Sequence, residues 1–228
     1  DGGDGLQVFT DSSDSAHTVT ANGNVHTDTT VKKFGTASYQ SAGATGDYLS
    51  IPDSADWNFG AGDFTIEFYL RHASLTGNQG YMGQTDGGSA ANGWYFYKHN
   101  DSIVDDGFIF RWKNTAGVLV GYEWSETELD IVAGAWYHVA VVRHGTRLTL
   151  YLDGQEQQIR VTEVPIGETT LVDCDGVLTV GRDANGNELN GYMDEVRISK
   201  GVARYTDNFT PPGAAFPITR LYAVNSAG

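Results

Sequence analysis

The chain has 228 residues, 40% of them hydrophobic and 12% aromatic, enough for one sizeable core and too many for a disordered segment. Twenty-nine Asp and Glu against fourteen Lys and Arg give a formal charge of -15, which argues against a nucleic-acid partner because phosphate binding needs clustered cations. Twenty-nine glycines with only five prolines indicate many tight turns and exclude a collagen-like chain.

From the N-terminus, "SADWNFG" reads as a single helical turn. The next segment, "DFTIEFYLRHA", alternates Phe64, Ile66, Phe68 and Leu70 with Thr65, Glu67, Tyr69 and Arg71, the period of a half-buried strand. The stretches "GWYFYKH", "GFIFRWK", "GVLVGYEW", "WYHVAVVRHG", "RLTLYLDGQ" and "VLTVGR" read the same way, each bounded by Gly, Asn, Asp or Ser. Asp153-Gly154 between extended runs predicts a tight hairpin, and Asn185-Gly186 predicts a second turn. "GVARYTDNF" reads as another single helical turn, and Pro211-Pro212 ends regular structure. About fourteen short strands with turn punctuation predict an all-β, two-sheet antiparallel sandwich or jelly roll. Residues 1–213 are expected to form the sandwich, and 214–228 a final strand or a linker.

No apolar run approaches the ~20 residues of a membrane-spanning helix, and "DGGDGLQVF" has neither the basic nor the apolar region of a signal peptide. The chain is expected to belong to a larger multidomain protein or assembly. Cys174, the single cysteine, cannot form an internal disulfide and reads as an ordinary core or surface thiol.

The stretch "NGYMDEVRISKG" places an acid among apolar residues. Strand alternation puts Tyr192, Asp194, Val196 and Ile198 on one face and Met193, Glu195, Arg197 and Ser199 on the other. A carboxylate on the apolar face must be paired with a cation such as Arg197, protonated, or metal-bound. Glu195 and Arg197 read as solvated.

Carbohydrate recognition needs aromatic rings and planar polar groups in a shallow groove. If Phe96 and Phe110 face the core, then Tyr95, Tyr97, His99, Arg111 and Lys113 face outward and could form such a surface with Tyr122 or Trp124; Trp94, Trp112 and Trp136 are expected in the core. A glycosidase needs two carboxylates flanking the scissile bond. "ETELDIVAG", with Glu126, Glu128 and Asp130, resembles the start of the acidic strand pattern of laminarinase-type glycosidases, but Ala133 stands where that pattern has its second glutamate, so surface acids are the better reading. "DANGNELNGYMD" imitates a calcium loop yet has Glu188 where glycine is needed, so a hairpin turn is favoured. The six histidines show no metal-ligand spacing; His72 and His144 read as exposed strand-end residues and His138 as a hydrogen-bonded core histidine.

Taken in order, "FTDSSDSAHTVTANGN", "KKFGTASYQ", "GDYLSIPDSADWNFGAGDFTIEFYLR", "WYHVAVVRHGTRLTLYLDGQ" and "LTVGRDANGNELNGYMDEVRISKGVARYTDNFTPP" resemble a laminin G-like domain of the concanavalin A-like superfamily, of the variant common in bacterial surface and phage structural proteins. The resemblance runs from about Phe9 to Pro212 and implies a jelly-roll sandwich. It also implies a structural calcium ion, held by Asp194, by the Gly35 carbonyl and by a group near Asp1, since calcium accepts carboxylate and carbonyl oxygens with flexible geometry. The expected function is a non-catalytic, calcium-stabilised, lectin-like module binding a glycan on a cell or polymer surface, located outside the cell, on its surface or on a virion. The alternative is a structural or adhesion domain that binds protein or decorates a particle.

Overall fold

A computed structural model describes residues 2–88, 91–100, 107–125, 129–159, 161–162 and 170–217. Asp1, Glu126 and Glu128, and most of the expected tail after residue 213, lie outside the described residues. Among those described, the chain forms β1 (Thr20–Asn22), β2 (His26–Asp28), β3 (Ser38–Ala42), β4 (Tyr48–Ile51), β5 (Phe64–His72), β6 (Gln79–Thr85), β7 (Gly93–His99) and β8 (Gly107–Lys113). It continues as β9 (Leu119–Ser125), β10 (Tyr137–His144), β11 (Arg147–Leu152), β12 (Gln155–Glu156), β13 (Val161–Thr162), β14 (Leu178–Val180) and β15 (Asn190–Lys200). These pair antiparallel into an eight-stranded sheet, β1-β4-β14-β6-β7-β8-β9-β13, and a seven-stranded sheet, β12-β11-β10-β5-β15-β3-β2. The predicted two-sheet antiparallel sandwich is therefore the observed fold.

Strand alternation places one set of side chains from each sheet in the shared core. Phe64, Ile66, Phe68 and Leu70 of β5 join Val139 and Val141 of β10; from the opposite sheet come Trp94, Phe96, Phe108, Phe110 and Trp112. Phe96 meets Phe108 edge to face at 5.7 Å, and Tyr81 meets each of them at 5.1 Å. Each fully buried large side chain of this kind contributes about 1.5–3 kcal/mol.

Local punctuation behaves as its chemistry dictates. Asp153 and Gly154 both take positive φ, 47° and 75°, as a primed two-residue turn requires, and Leu152 pairs with Gln155. The Asp183 carboxylate accepts the Asn185 and Asn187 N–H groups, each at 2.9 Å, so "DANGN" closes a turn at the Arg182–Glu188 bridge. The helical turn predicted in "SADWNFG" is a 3-10 turn at Ala55–Trp57 capped by Ser54. The one predicted in "GVARYTDNF" is absent: residues 202–209 run without helix.

That extended segment changes the outer face of the seven-stranded sheet. It lies across β5 and β10, with Phe209 donating its N–H to the Gly154 carbonyl, Arg204 donating its N–H to Thr65 and Tyr69 donating its hydroxyl to the Pro212 carbonyl. The half-buried strand predicted for β5 is consequently buried on both sides; Glu67 is fully enclosed.

Candidate functional site

The bulge in β15 decides where Asp194 points. Asp194 pairs with Tyr69, but the next paired residue, Arg197, faces Glu67, so β15 carries extra backbone relative to β5, with Glu195 in the left-handed region at φ 53°. Strict alternation along 192–198 is broken. Met193 is buried in the core and Ile198 packs against it, while Tyr192, Asp194, Arg197 and Ser199 lie on the outer face. The sequence-derived grouping of Asp194 with Ile198 on an apolar face is thereby corrected.

Asp194 is nevertheless buried, and it accepts three backbone N–H groups: Lys33 at 2.8 Å, Phe34 at 3.0 Å and Glu195 at 2.9 Å. Burial pushes its carboxyl above the ordinary range, and the three hydrogen bonds recover only part of the shift. Arg197 does not pair with Asp194; it donates to Glu67 at 2.7 and 2.8 Å. Glu195 is not a free surface acid, since it accepts the Phe216 N–H. Gly35 follows Phe34 at φ 59°, in the same loop that supplies two donors to Asp194. A buried, incompletely compensated carboxylate is chemically suited to a hard cation, although the loop contacts to it are N–H donors.

The expected aromatic platform is rearranged. Phe96 and Phe110 face the core as predicted, and Tyr95 and Tyr97 lie on the opposite side, with rings 5.4 Å apart. They are only 1% and 4% exposed, packed with Ile109, Leu119 and Ala184. Trp124 does not face outward at all. It pairs with Phe108 and is fully buried in the main core, where Tyr122 also lies. His99 and Arg111 stay half-buried, so the set Tyr95, Tyr97, His99, Arg111 and Trp124 offers two polar groups without an open aromatic surface.

Of the acidic pattern only Asp130 lies among the described residues, and of the two strand-end histidines His144 is exposed and His72 is not. β9 ends at Ser125, and Asp130 sits in a turn at φ 50°. His72, expected to be exposed, is fully buried and hydrogen-bonded to the Tyr81 hydroxyl at 3.0 Å; burial, then the charge of Lys98, push its pKa down to about 3. His138 is buried and contacts Glu67 at 3.2 Å, as a hydrogen-bonded interior histidine. Cys174 is buried too, its thiol pushed up to about 11 by burial, which leaves it a poor nucleophile.

A different set of side chains stands open on the outer face of the seven-stranded sheet. Tyr192 pairs with Arg71 on one side and Gln40 on the other, and Gln40 pairs with His26. Their sequence neighbours Leu70, Met193, Tyr39 and Val25 fill the core, so these four point away from it, and all four are half-buried. At the foot of β10, Trp136, expected in the core, is also half-buried and has its ring 6.5 Å from that of Tyr192 at 57°. The Arg71 guanidinium lies over the Tyr192 ring at 5.3 Å, held there by donation from Nε to the Gly134 carbonyl at 2.8 Å. With neighbouring strands ~4.8 Å apart, β5, β15, β3 and β2 give the row a span of about 14 Å. No local motif in the sequence marks this row, because only strand pairing aligns residues 26, 40, 71 and 192.

A family model described as the concanavalin A-like lectin/glucanases superfamily, Laminin_G_3, matches residues 43–204. The chain belongs to this superfamily. Solved structures share its fold. The binding domain of Paraclostridial Mosquitocidal Protein 1 aligns with a TM-score of 0.60 at 16% identity, covering 82% of this chain and 45% of that one. Domain 4 of AbnA, a GH43 extracellular arabinanase from Geobacillus stearothermophilus solved with arabinotriose, aligns at 0.57 and 15% identity, covering 82% and 84%. The binding domain of botulinum neurotoxin DC, solved with SialylT, aligns at 0.54 and 13% identity, covering 80% and 43%. The superfamily chain described here thus spans less than half the length of the toxin structures. A sequence search of curated proteins gave no match. At these identities the structural likeness establishes the fold, and such a fold hosts many functions.

Proposed function

We propose that the chain is a non-catalytic carbohydrate-binding module that docks a glycan outside the cell or on a surface, as one part of a larger assembly of the bacterial or phage type. The observation that carries this reading is the row of Trp136, Arg71, Tyr192, Gln40 and His26. Two half-exposed rings supply apolar faces for sugar C–H groups, and the guanidinium, amide and imidazole supply planar hydrogen-bonding groups for hydroxyls. Relatives of the same fold that were solved with arabinotriose or SialylT support the choice of ligand class. Tyr192→Ala and Trp136→Ala are each expected to weaken glycan binding tenfold or more, about 1.4 kcal/mol, with thermal stability nearly unchanged, as read by a glycan array followed by calorimetry. Binding to no glycan, or binding indifferent to both substitutions, overturns the reading and favours a protein-binding or decorating role.

A structural calcium ion at Asp194, with the Gly35 carbonyl and a group near Asp1 completing its shell, belongs to the same proposal. Its support is the buried carboxylate whose three hydrogen bonds leave it short of compensation. Calcium at a hundred times its dissociation constant is expected to stabilise the protein by about 2.7 kcal/mol, removable by chelator and absent in Asp194→Asn. Equal melting temperatures with calcium and with chelator would sink the calcium site while leaving the glycan row standing.

A further inference from the structure

We infer that the row selects acidic sugars, with Arg71 binding the carboxylate of a uronic or sialic acid residue; this rests on the reading of the row as a glycan site. The chain carries a formal charge of -15, and four of its other described arginines are ion-paired. Arg147 pairs with Glu156, Arg182 with Glu188, and Arg197 and Arg204 with Glu67. Arg71 makes no ion pair among the described residues. Its only hydrogen bond there is the one from Nε to Gly134, so both terminal nitrogens have no hydrogen-bond acceptor among the described residues. The guanidinium is also pre-ordered by the Gly134 carbonyl and by the Tyr192 ring.

An unpaired cation maintained in so acidic a chain, between two half-exposed rings, is chemically matched to an anion carried on a sugar. A fixed guanidinium fork suits a carboxylate, which accepts two parallel hydrogen bonds, better than it suits a single hydroxyl. Gln40 and His26 continue the row on the far side of Tyr192 and are placed to meet the hydroxyls of the same or the next residue. The surrounding negative field opposes a long polyanion, so recognition is directed at a single carboxylate or a sparsely charged chain.

The test compares matched ligands on the whole chain: sialyllactose against lactose, and an oligosaccharide carrying a single uronic acid against its carboxyl-reduced counterpart. The first pair detects a sialic acid ligand and the second a uronic acid ligand. At least tenfold preference for the acidic member of one pair is expected, weakening as salt rises. Arg71→Gln should abolish the preference, and Arg71→Lys should restore little of it because lysine cannot reproduce the fork. Unchanged melting temperatures would show that both variants fold. Neutral glycans bound through Tyr192 with no effect of Arg71→Gln overturn the acidic-sugar assignment and leave the glycan site intact; no Tyr192-dependent binding to either class overturns both.

Discussion

Glu67→Ala is expected to destabilise the protein by about 3 kcal/mol, the lower end of the cost of stripping one partner from a buried charge network. Glu67 is fully buried on the outer face of β5. One carboxylate oxygen accepts from Arg197 and lies 3.5 Å from Arg204 Nε; the other accepts from the Tyr205 hydroxyl at 2.8 Å and contacts His138 at 3.2 Å. Alanine would leave His138 and Tyr205 without their acceptor and two guanidinium groups crowded together. Both arginines retain partial solvent access, which keeps the loss at the low end. For a chain of this size it corresponds to a fall of roughly 6–12 °C in melting temperature, measurable by scanning calorimetry. Because Tyr205 stacks on Phe209 at 3.5 Å, loosening of the 202–217 segment should accompany the loss, as faster amide exchange at Phe209.

The same residue sets the response to acid. Burial raises the Glu67 carboxyl, but the His138 hydrogen bond, the Arg197 charge and the Tyr205 hydrogen bond together outweigh it and hold the group below its ordinary value of 4.5. A depressed folded-state value means stability that is present above pH 4.5 and lost as pH falls through the folded-state value. Asp194 and Glu195 act in the opposite sense: burial raises both, so their contribution is greatest below their unfolded values and declines as pH rises. The stability gap between wild type and Glu67→Gln is therefore expected to narrow steadily below about pH 4.5. A gap that holds constant down to pH 2 would exclude Glu67 as the titrating group.

Trp124→Ala is expected to cost about 3–5 kcal/mol of stability, as for other buried tryptophans cut back to alanine, with no selective loss of glycan affinity in whatever fraction stays folded. Its ring is fully buried against Tyr122, 6.3 Å away, on the inner side of β9. Denaturant titration alongside calorimetry separates the two effects, and a stable variant that no longer binds glycan would return Trp124 to the binding surface.

Much of the architecture was legible in the sequence because it depends on short-range rules. Period-two alternation identified the core faces of β5, β7 and β8 from Phe64 to Leu70, from Trp94 to Phe96 and from Phe108 to Trp112, and the φ-permissive pairs Asp153-Gly154 and Asn185-Gly186 marked two turns elsewhere, after β11 and before β15. The motif series pointed to the superfamily that the residue 43–204 match shows. Asp194 also stood out, since a carboxylate among apolar residues is conspicuous wherever it points.

Tertiary structure alone decided the rest, for three physical reasons. A bulge at Glu195 reversed the parity of β15, and no period can announce an extra residue whose cause lies in the pairing with β5. What covers a sheet face comes from distant chain: Ala184 packs on Tyr95 and Tyr97, and residues 202–217 enclose Glu67 and Tyr69. Finally, register across four strands aligned His26, Gln40, Arg71 and Tyr192, residues that nothing in the linear order connects. The sequence by itself determined a two-sheet sandwich and its apolar interior, because those follow from side-chain alternation and burial; the exposed row was decided by strand pairing, because neighbours across a sheet are chosen by hydrogen-bond register.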